Sequence, residues 1–333
     1  MYKKIAIYGV GAIGGWLGAG LAAQGAEISV VARGATLEAL RQHGLRLRNK
    51  DAEGTERETA YAVRASADPA DLGIQDLVIV AVKAPAMADV ASRIAPLLGP
   101  GTVVLTAMNG VPWWFLQGFG GAVQGQTLQS VDPGGVIAGA ISPAHVVGCV
   151  VHASCSVDAP GVIRHHFGAG LIIGEPAGGE SERVRALAAL LKDAAFNATV
   201  SPRIQRDVWY KLWGNMTINP ISAITGATAD RIMDDGLVRN FISTVMLEAR
   251  EIGERIGISS TEDPEDRHAV TRKLGAFTPS MLQDVRAGKP VEIDALVSAV
   301  RELGALTQVP TPFTDALLGL TRLHARVHGL YPQ

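Results

Sequence analysis

The sequence predicts an α/β protein with two domains, the first built on a parallel β-sheet and the second made of helices alone. Three observations support this prediction. Strand-like and helix-like segments alternate in the first part of the chain, and a glycine-rich loop follows the first strand. From about Pro202 onward, only helical patterns remain. We therefore place the domains at residues 1–201 and 202–333, since a domain typically has roughly 150 residues.

The first domain contains apolar runs that are typical of the buried strands of a parallel sheet. These runs are KKIAIYG, AEISVVAR, DLVIVAVK and TVVLTAMNG. Helical patterns separate them, and Gly25 and Gly44 are expected to end the first two helices. A third helical pattern covers residues 85–101, and the polar residues 45–63 predict a hairpin outside the alternation.

Residues 111–175 are rich in glycine and lack a strong period, so we expect loops and one weak helix in the first part of this stretch. Three strands of an antiparallel extension follow, namely CVVHASCSV, GVIRHHFG and LIIGEP. Ser181 is the N-cap candidate of the next helix. The change from strands to helices near Pro202 marks the predicted domain boundary.

The composition argues against several classes of protein. The 333 residues have a formal net charge of −2, so the sequence shows no basic surface for nucleic acid. Cys149 and Cys155 form no CxxC pair, which argues against a disulfide framework and a zinc site. No apolar run is long and uninterrupted enough to span a bilayer. We expect a cytoplasmic protein without a metal, a nucleic-acid partner or a membrane partner.

The N-terminal stretch has a basic start and an apolar run, as a secretory signal peptide does. Glycines at motif spacing favour instead the strand, glycine loop and helix of a folded domain. Gly9, Gly11 and Gly14 form G-x-G-x-x-G between a strand and a helix, which is the context that this motif requires. Such a loop places a pyrophosphate at the N-terminus of the helix. The alternative is a glycine-rich turn used for packing only.

The loop indicates a Rossmann-type dinucleotide-binding domain, followed by the all-helical C-terminal domain. Its predicted cofactor-binding residues are Gly9, Val10, Gly11, Ala12, Ile13 and Gly14. After the second strand the chain carries Arg33, where an NAD site would carry an acidic residue. A guanidinium can bond a 2′-phosphate bidentately, so Arg33 favours NADP(H) over NAD. The alternative is an ordinary surface arginine.

A polar stripe lies on the first helix after the predicted boundary. Lys211, Asn215 and Asn219 are four residues apart in YKLWGNMTINPIS, so they share one face of an otherwise apolar helix. Asparagine is a poor helix former, so two on one stripe require a reason. They either contact another helix or bind a polar ligand. Pro220 follows directly and is expected to bend or end the helix.

The stripe and its flanking motifs resemble the ketopantoate reductase (2-dehydropantoate 2-reductase) family. The resemblance rests on KLWGNMTINPISAITGAT, on MNG upstream and on SMLQDVRAGKPVEID downstream. Together with the glycine loop and Arg33, these pieces cover nearly the whole chain in the family's order. The resemblance implies NADPH-dependent reduction of 2-dehydropantoate to pantoate in pantothenate biosynthesis, with hydride transfer to the C2 carbonyl.

The resemblance also implies roles for individual residues. Lys211 matches the catalytic lysine, which would donate the proton, while Asn215 and Asn219 match substrate-binding asparagines. Ser280 matches a serine that bonds the substrate, and Glu292 matches a glutamate beside the substrate hydroxyl and the nicotinamide ribose. From the residues alone, Ser280 is interpreted as an N-cap and Glu292 as an acid that interacts favourably with the helix dipole.

Three further positions belong to the nicotinamide end of the cofactor by the same resemblance. They are Lys83, Asn109 and Ser154, and Asn109 is expected to contact the substrate as well. The partner implied for the chain is therefore a small 2-keto acid. A homodimer is compatible with the sequence, which does not determine the oligomeric state.

The sequence departs from the family pattern at two places. Ala229 stands where several members carry a substrate-contacting asparagine, so one contact is missing or replaced. Trp113 and Trp114 follow the Asn-Gly pair, where they either anchor a surface loop by burial or reshape the mouth of the active site. Another 2-keto acid substrate and a non-catalytic NADP-binding sensor therefore remain as alternatives.

Overall fold

The computed structural model describes residues 2–50, 53–259 and 262–332. The chain divides into two compact units. The first contains the residues up to Met108 together with Val136–Ile204, and the second contains Asn109–Gly135 together with the residues from Gln205 onward. Near Pro202, the boundary between the two units lies within a few residues of the predicted domain boundary. They differ at Asn109–Gly135, which the sequence assigned to the first domain.

Aromatic burial explains why Asn109–Gly135 packs with the helices. Trp113, Trp114 and Phe115 expose no more than 4% of their surface, and the Phe115 ring stacks on Trp209 with 5.8 Å between the ring centroids. Each buried aromatic side chain removes a large apolar area from water. The apolar residues of this glycine-rich stretch have no regular spacing, so the sequence did not indicate which unit the stretch packs against. The two tryptophans are core residues of the second unit, as the burial alternative expected.

A single β-sheet forms the first unit. Within the described residues its strand order is β4-β3-β9-β8-β7-β6-β1-β2-β5, and β10 pairs with β9. The strands are β1 Lys4–Tyr8, β2 Glu27–Val31, β3 Leu45–Lys50, β4 Glu56–Tyr61, β5 Arg64–Ser66, β6 Leu77–Val80, β7 Val103–Ala107, β8 Val146–Ala159, β9 Val162–Gly174 and β10 Asn197–Val200.

The central part of this sheet is parallel, as the alternating pattern predicts. Strand β1 lies between β2 and β6, and both pairings are parallel. The chain leaves β1 toward β2 and later returns to β6 on the opposite side. This reversal creates a switch point at the carboxyl ends of β1 and β6, where ligands bind in open α/β sheets. The α/β fold class is confirmed.

Five helices of the described residues belong to the first unit. They are α1 Ala12–Ala23, α2 Gly34–His43, α3 Met87–Arg93, α4 Val136–Ala140 and α5 Glu182–Asp193. Ser181 caps α5 as predicted, because its side chain accepts the Val184 N–H. Helix α3 ends at Arg93, well short of the predicted residue 101, and a 3₁₀ turn containing Pro96 follows.

The antiparallel extension consists of two long strands, β8 and β9, where the sequence predicted three short ones. Gly168 explains the difference. Its φ is +79°, and a Cβ there would lie 2.7 Å from the His152 carbonyl oxygen. The glycine therefore lets β9 continue through an irregular register with β8 instead of breaking. The predicted hairpin is confirmed, since β3 and β4 pair antiparallel.

The second unit contains helices and no strand among its described residues. Its helices are α6 Ile204–Thr225, which begins one residue before the unit, α7 Ala229–Asp234, α8 Gly236–Arg255, α9 Pro264–Arg272, α10 Ser280–Arg286, α11 Ala299–Thr307 and α12 Pro312–Val327. A π-helical turn, Asp294–Ser298, leads into α11. Helix α6 continues past Pro220, so of the two expected effects, a bend or an end, the helix does not end there. None of the described helices is long and apolar enough to cross a bilayer.

Candidate active site

The glycine loop joins β1 to α1 at the switch point of the sheet. Gly9 has a φ of +99°, and a Cβ there would lie 2.5 Å from Cγ1 of Val82, which is two residues past the end of β6. A Cβ at Gly14 would collide with the Gly9 carbonyl oxygen. Both positions therefore require glycine, because the loop backbone packs tightly against itself and against the end of β6.

Gly11 has a different environment from the other two motif glycines. It is the N-cap residue of α1, and a Cβ there would meet nothing within 4 Å. No side chain caps the first N–H groups of α1. An open approach to uncapped helix N–H groups suits an anion, so Val10, Ala12 and Ile13 flank a backbone site that fits a pyrophosphate.

Arg33 forms an ion pair that the sequence did not predict. It is the N-cap residue of α2, just beyond β2, and its Nη2 lies 2.6 Å from Asp89 Oδ2 on α3. The two side chains remain 53% and 47% exposed. An exposed pair of this kind contributes little to stability, so the guanidinium is available to exchange Asp89 for a stronger anion.

Lys83 and Ser154 are the remaining predicted cofactor residues of the first unit. Lys83 is half-buried and follows β6 as the N-cap residue of a 3₁₀ turn. Ser154 lies opposite Phe167 between two register shifts of the β8–β9 pair. The neighbouring His165 stacks on Trp16 of α1, with 5.5 Å between ring centroids and an angle of 6° between the rings. This stack holds the irregular part of the hairpin against the helix that follows the glycine loop.

The polar stripe of α6 is only partly exposed. Lys211 and Asn215 are half-buried, whereas Asn219 exposes 5% of its surface. Lys211 Nζ donates a hydrogen bond to Asn109 Oδ1 over 2.9 Å. Ser222 continues the stripe at full burial, and its hydroxyl donates to the Asn219 carbonyl oxygen. The structure thus joins Lys211 and Asn109, which are far apart in sequence.

The loop that carries Asn109 is attached to the π-turn. The Val111 N–H donates to the Ala295 carbonyl oxygen over 2.8 Å. Gly110 has a φ of +81°, and a Cβ there would lie 2.6 Å from the same oxygen. Only glycine therefore allows the loop to approach Ala295 this closely. π-turns are rare and frequently occur at functional sites.

Glu292 lies two residues before this turn and is half-buried. The preceding Val291 donates its N–H to the Leu330 carbonyl oxygen over 3.1 Å, close to the C-terminal end of the described chain. Glu292 therefore belongs to a segment held on both sides. Its backbone is tied to the C-terminal segment before it, and the π-turn that follows is tied to the Asn109 loop.

Asp294 fixes the start of the π-turn. Its Oδ1 accepts hydrogen bonds from Tyr331 Oη and from Ser298 Oγ, each over 2.8 Å. Burial, together with the hydrogen bond to Asp294, raises the pKa of Tyr331 to about 12. The phenol is therefore protonated at neutral pH and remains a hydrogen-bond donor to the carboxylate.

Ser280 is the first residue of α10, is exposed and follows the N-cap residue Pro279. No side-chain hydrogen bond caps α10, so the alternative of Ser280 as an N-cap is not observed. The loop before α10 is tied to Ala229, whose N–H donates to the Phe277 carbonyl oxygen over 2.9 Å. Ala229 is fully buried and offers only a methyl group.

Arg267 is a functional candidate that the sequence interpretation did not include. Its guanidinium lies over the Tyr210 ring, 5.1 Å from the centroid, and a Cβ at Gly214 would lie 2.5 Å from its Nη2. Burial lowers the pKa of Arg267, although Tyr210 and Glu262 oppose this shift. Gly214 stands one helical turn after Lys211, so a second cation lies beside the stripe. A glycine inside the helix signals this close approach in the sequence.

The predicted residues thus fall into two groups, one in each unit. The first unit holds the glycine loop, Arg33, Lys83 and Ser154. The second unit holds the other six, which are Asn109, Lys211, Asn215, Asn219, Ser280 and Glu292. Within the second group, the structure joins Asn109 directly to Lys211 and, through the π-turn, to the segment of Glu292.

Comparison with known proteins covers almost the entire chain. A family model described as "Ketopantoate reductase PanE/ApbA" matches residues 5–178, and one described as "Ketopantoate reductase PanE/ApbA C terminal" matches residues 203–325. A 2-dehydropantoate 2-reductase from Mesorhizobium japonicum is 47% identical over 98% of this chain and 99% of its own length.

Solved structures show the same fold. The structure of a candidate ketopantoate reductase from Ralstonia solanacearum is 56% identical, with a TM-score of 0.94 over 99% of this chain and 100% of that one. A D-mandelate dehydrogenase in complex with NADH and anilino(oxo)acetate has a TM-score of 0.83 over 98% of this chain and 99% of its own. At 20% identity, this second likeness concerns the fold alone.

Proposed function

The chain belongs to the ketopantoate reductase family, and we propose that it reduces 2-dehydropantoate to pantoate with NADPH as the hydride donor. The observation that carries the proposal is the hydrogen bond between Lys211 Nζ and Asn109 Oδ1, 2.9 Å long, on a half-buried polar stripe. The 47% identity with a 2-dehydropantoate 2-reductase over nearly the whole chain supports the choice of substrate. The family is one of dinucleotide-dependent oxidoreductases.

The first unit fits a dinucleotide at the glycine loop. The uncapped N–H groups of α1 and the open side of Gly11 suit the pyrophosphate. We assign Arg33 to the 2′-phosphate, which would take the place of Asp89 because a phosphate offers more acceptor oxygens and more negative charge. Lys83 and Ser154 are assigned to the nicotinamide end by family resemblance.

Lys211 is the proposed proton donor. When bound, the reduced nicotinamide supplies a hydride to C2 of the keto acid, and the carbonyl oxygen gains an electron pair that needs a proton. The Lys211 ammonium has three donors, so its bond to Asn109 is compatible with a second bond to that oxygen. Proton donation by a positioned group typically contributes roughly 10²–10⁴-fold in rate. The amine is then reprotonated from solvent.

The remaining polar residues are proposed to hold the substrate. Asn215 and Asn219 each offer a donor and an acceptor toward the hydroxyl and carbonyl oxygens of a keto acid. Ser280, which is exposed at the start of α10, offers a hydroxyl to the carboxylate. Glu292 keeps the ammonium and the developing hydroxyl in place, and the braced segment around it restricts its movement.

Arg267 adds to the attraction of an anionic substrate. Its guanidinium is largely withdrawn from water and lies one helical turn from Lys211, beside Gly214. Two cations on adjacent parts of one helix surface create a positive potential, which raises the local concentration of a carboxylate. We therefore assign Arg267 an electrostatic role in substrate binding.

One observation favours a second candidate substrate. Ala229 is fully buried and places a methyl group where several family members carry an asparagine. The chain therefore lacks one polar side chain that could hydrogen-bond the substrate. A 2-keto acid with an apolar group in place of the 2-dehydropantoate hydroxyl would lose less binding free energy at this site. A site that hydrogen-bonds a hydroxyl rejects the analogue lacking it strongly, so the two substrates are separable by kinetics.

The test is a comparison of kcat/KM for 2-dehydropantoate and for 2-keto acids of similar size that lack its hydroxyl, with NADPH oxidation as the signal. We expect 2-dehydropantoate to be preferred by at least about tenfold. A preference for the apolar analogues would replace the substrate assignment. Tight NADPH binding without turnover of any keto acid would leave the sensor as the function.

A further inference from the structure

The hydroxyl of Tyr8 is a buried polar group that the proposed mechanism does not use. Tyr8 is the last residue of β1, directly before the glycine loop, and only 4% of its surface is exposed. Its Oη is withdrawn from solvent and has no hydrogen-bond partner among the described residues. An unpaired buried hydroxyl costs free energy, so its presence at the end of β1 requires a reason. A partner that reaches the hydroxyl only when a ligand binds is such a reason.

Two arginines lie at the edge of the sheet where β1 ends. Strands β1, β2 and β5 are parallel neighbours, so their carboxyl ends lie at the same edge. Arg33 follows β2, and Ala67 follows β5. Helix α3 reaches both places, because Asp89 Oδ2 binds Arg33 over 2.6 Å and Arg93 Nη2 donates to the Ala67 carbonyl oxygen over 2.7 Å. The acid and the two bases therefore follow the edge that also carries Tyr8.

The charges of these residues act on the Tyr8 hydroxyl. Burial raises the pKa of Tyr8. Among the charged residues Arg93 has the largest effect and lowers this pKa, Asp89 follows and raises it, and Arg33 lowers it. The hydroxyl therefore stays protonated at neutral pH and can donate a hydrogen bond. An ionised carboxylate is a stronger acceptor for this donor than a neutral oxygen.

Arg93 has donors left for a carboxylate. A guanidinium carries five N–H groups, and the bond to Ala67 uses one of them. Asp89 stands four residues before Arg93 on α3, so the two side chains share one face of the helix. An acid four residues ahead of a base is also the favourable order on a helix. A change in the side-chain torsions of Asp89 is therefore enough to bring its carboxylate from Arg33 to Arg93.

We propose that Asp89 exchanges between two partners. It binds Arg33 when no 2′-phosphate is present, and it binds Arg93 and the Tyr8 hydroxyl when NADPH occupies the site. This inference rests on the proposed assignment of Arg33 to the 2′-phosphate.

The exchange favours NADPH over NADH. A phosphate monoester carries nearly two negative charges at neutral pH, so it repels a carboxylate that is left unpaired beside it. Arg93 and Tyr8 give the displaced carboxylate a second place, which lowers the free-energy cost of its displacement. NADH has no 2′-phosphate and leaves Asp89 on Arg33. Tyr8 and Arg93 are therefore positioning residues that act on cofactor choice through Asp89.

The test is a double-mutant cycle on the Kd for NADPH, measured by fluorescence titration of the full chain. We expect Arg93→Gln to raise the Kd for NADPH by about tenfold, because the displaced carboxylate remains beside the phosphate, and to leave the Kd for NADH unchanged. In the Asp89→Asn background, the same substitution should change the Kd for NADPH by less than about twofold, because no carboxylate is displaced. Tyr8→Phe should follow the same pattern with a rise of about threefold.

Arg41→Gln is the matched control. The Arg41 guanidinium also donates to a carbonyl oxygen of this part of the sheet, that of Ala65, and its loss removes the same positive charge. Arg41 stands in the last turn of α2, away from Arg33 at the opposite end of that helix. We expect both Kd values to stay close to parental. Far-ultraviolet circular dichroism verifies that all variants fold.

Three results would overturn the exchange. They are an unchanged Kd for NADPH in Arg93→Gln, a rise of equal size with and without Asp89→Asn, and equal rises for NADPH and NADH. The second of them would show that Arg93 acts on the phosphate independently of Asp89. A parent protein that binds NADPH and NADH equally well would contradict the assignment of Arg33 itself, and the exchange with it, so failure of the proposed cofactor is distinguishable from failure of the exchange alone.

Discussion

Lys211 and Asn109 form the contact on which the proposed chemistry depends. They are distant in sequence, yet Nζ and Oδ1 lie 2.9 Å apart within one compact unit. An amide oxygen accepts a hydrogen bond from the ammonium and carries no formal charge of its own. The sequence contains both residues in short motifs, but only the folded chain shows that they bond to each other.

Lys211→Ala tests this role at the level of one residue. We expect kcat/KM for the keto acid to fall by roughly 10²–10⁴-fold, because the developing alkoxide loses its proton donor. NADPH binding, measured by fluorescence titration, should be unchanged. Lys273→Ala, an exposed lysine after α9, is the control and should behave as the parent protein. A Lys211 variant with near-parental kcat/KM would rule out the proton-donor role.

The Arg33–Asp89 pair allows a test of cofactor choice. Arg33→Gln should raise the KM for NADPH by roughly 10- to 100-fold, because a charge-assisted bond contributes roughly 1.5–3 kcal/mol. The KM for NADH should change little, since NADH has no 2′-phosphate. Asp89→Asn removes the competing anion and should leave NADPH binding equal or tighter. An equal rise in the KM for NADPH and in the KM for NADH in Arg33→Gln would contradict the assignment of Arg33 to the 2′-phosphate.

His268 determines part of the pH dependence of stability. It is fully buried, its Nε2 lies 2.8 Å from Ser243 Oγ, and burial lowers its pKa, although Glu265 opposes the shift. The unfolded chain binds a proton near pH 6.5, whereas the folded chain binds it only at lower pH. The free energy of unfolding is therefore not reduced by His268 above about pH 6.5. Below this pH it falls, because the unfolded chain binds a proton that the folded chain does not.

His268→Gln should consequently flatten the fall of the free energy of unfolding below about pH 6.5, measured by urea denaturation at several pH values. Identical slopes in the parent and in His268→Gln would show that His268 takes up its proton equally well in the folded chain.

The π-turn Asp294–Ser298 connects the two parts of the candidate site in the second unit. Its Ala295 carbonyl receives the Asn109 loop, its Asp294 carboxylate receives Tyr331, and Glu292 lies just before it. The spacing of apolar residues does not reveal this turn, because the stretch DALVSAV has the spacing of an ordinary α-helix. The turn depends on contacts with distant segments, so sequence reasoning did not reveal it.

Gly110→Ala tests this element. A Cβ would lie 2.6 Å from the Ala295 oxygen at a φ of +81°, so the loop must shift or strain. We expect a loss of about 1–3 kcal/mol in the free energy of unfolding and a reduced kcat, since Asn109 moves relative to Lys211. Gly101→Ala is the matched control, because its Cβ would meet nothing within 4 Å. Parental kcat in Gly110→Ala would separate the turn from catalysis.

Features that depend on residues close together in the sequence were predictable. Features that depend on contacts between residues far apart in the sequence were not. The glycine loop and the Ser181 cap follow from residues a few positions apart, and the structure has both. The continuous strand β9 depends on Gly168 against His152, and the Arg267 contact depends on Gly214, across distances that no sequence period records. The same holds for Asp89 as the partner of Arg33.

At the scale of the whole molecule, the chain consists of two compact units with different chemistry. In the proposed function, the uncapped helix N–H groups and Arg33 of the first unit bind the dinucleotide, and the lysine–asparagine stripe of the second unit binds the keto acid. Family membership and the parallel sheet were predictable from motif order. The placement of Asn109–Gly135 in the second unit was not, because buried aromatic residues without a period determine it.

The most direct test of the central claim follows the hydride itself. The protein is incubated with 2-dehydropantoate and with NADPH in which both hydrogens at C4 of the nicotinamide are replaced by deuterium. The product is identified by mass spectrometry. We predict pantoate with one deuterium at C2, formed in equal amount to the NADPH oxidised. Absence of pantoate, or pantoate without deuterium at C2, would contradict the proposed reduction.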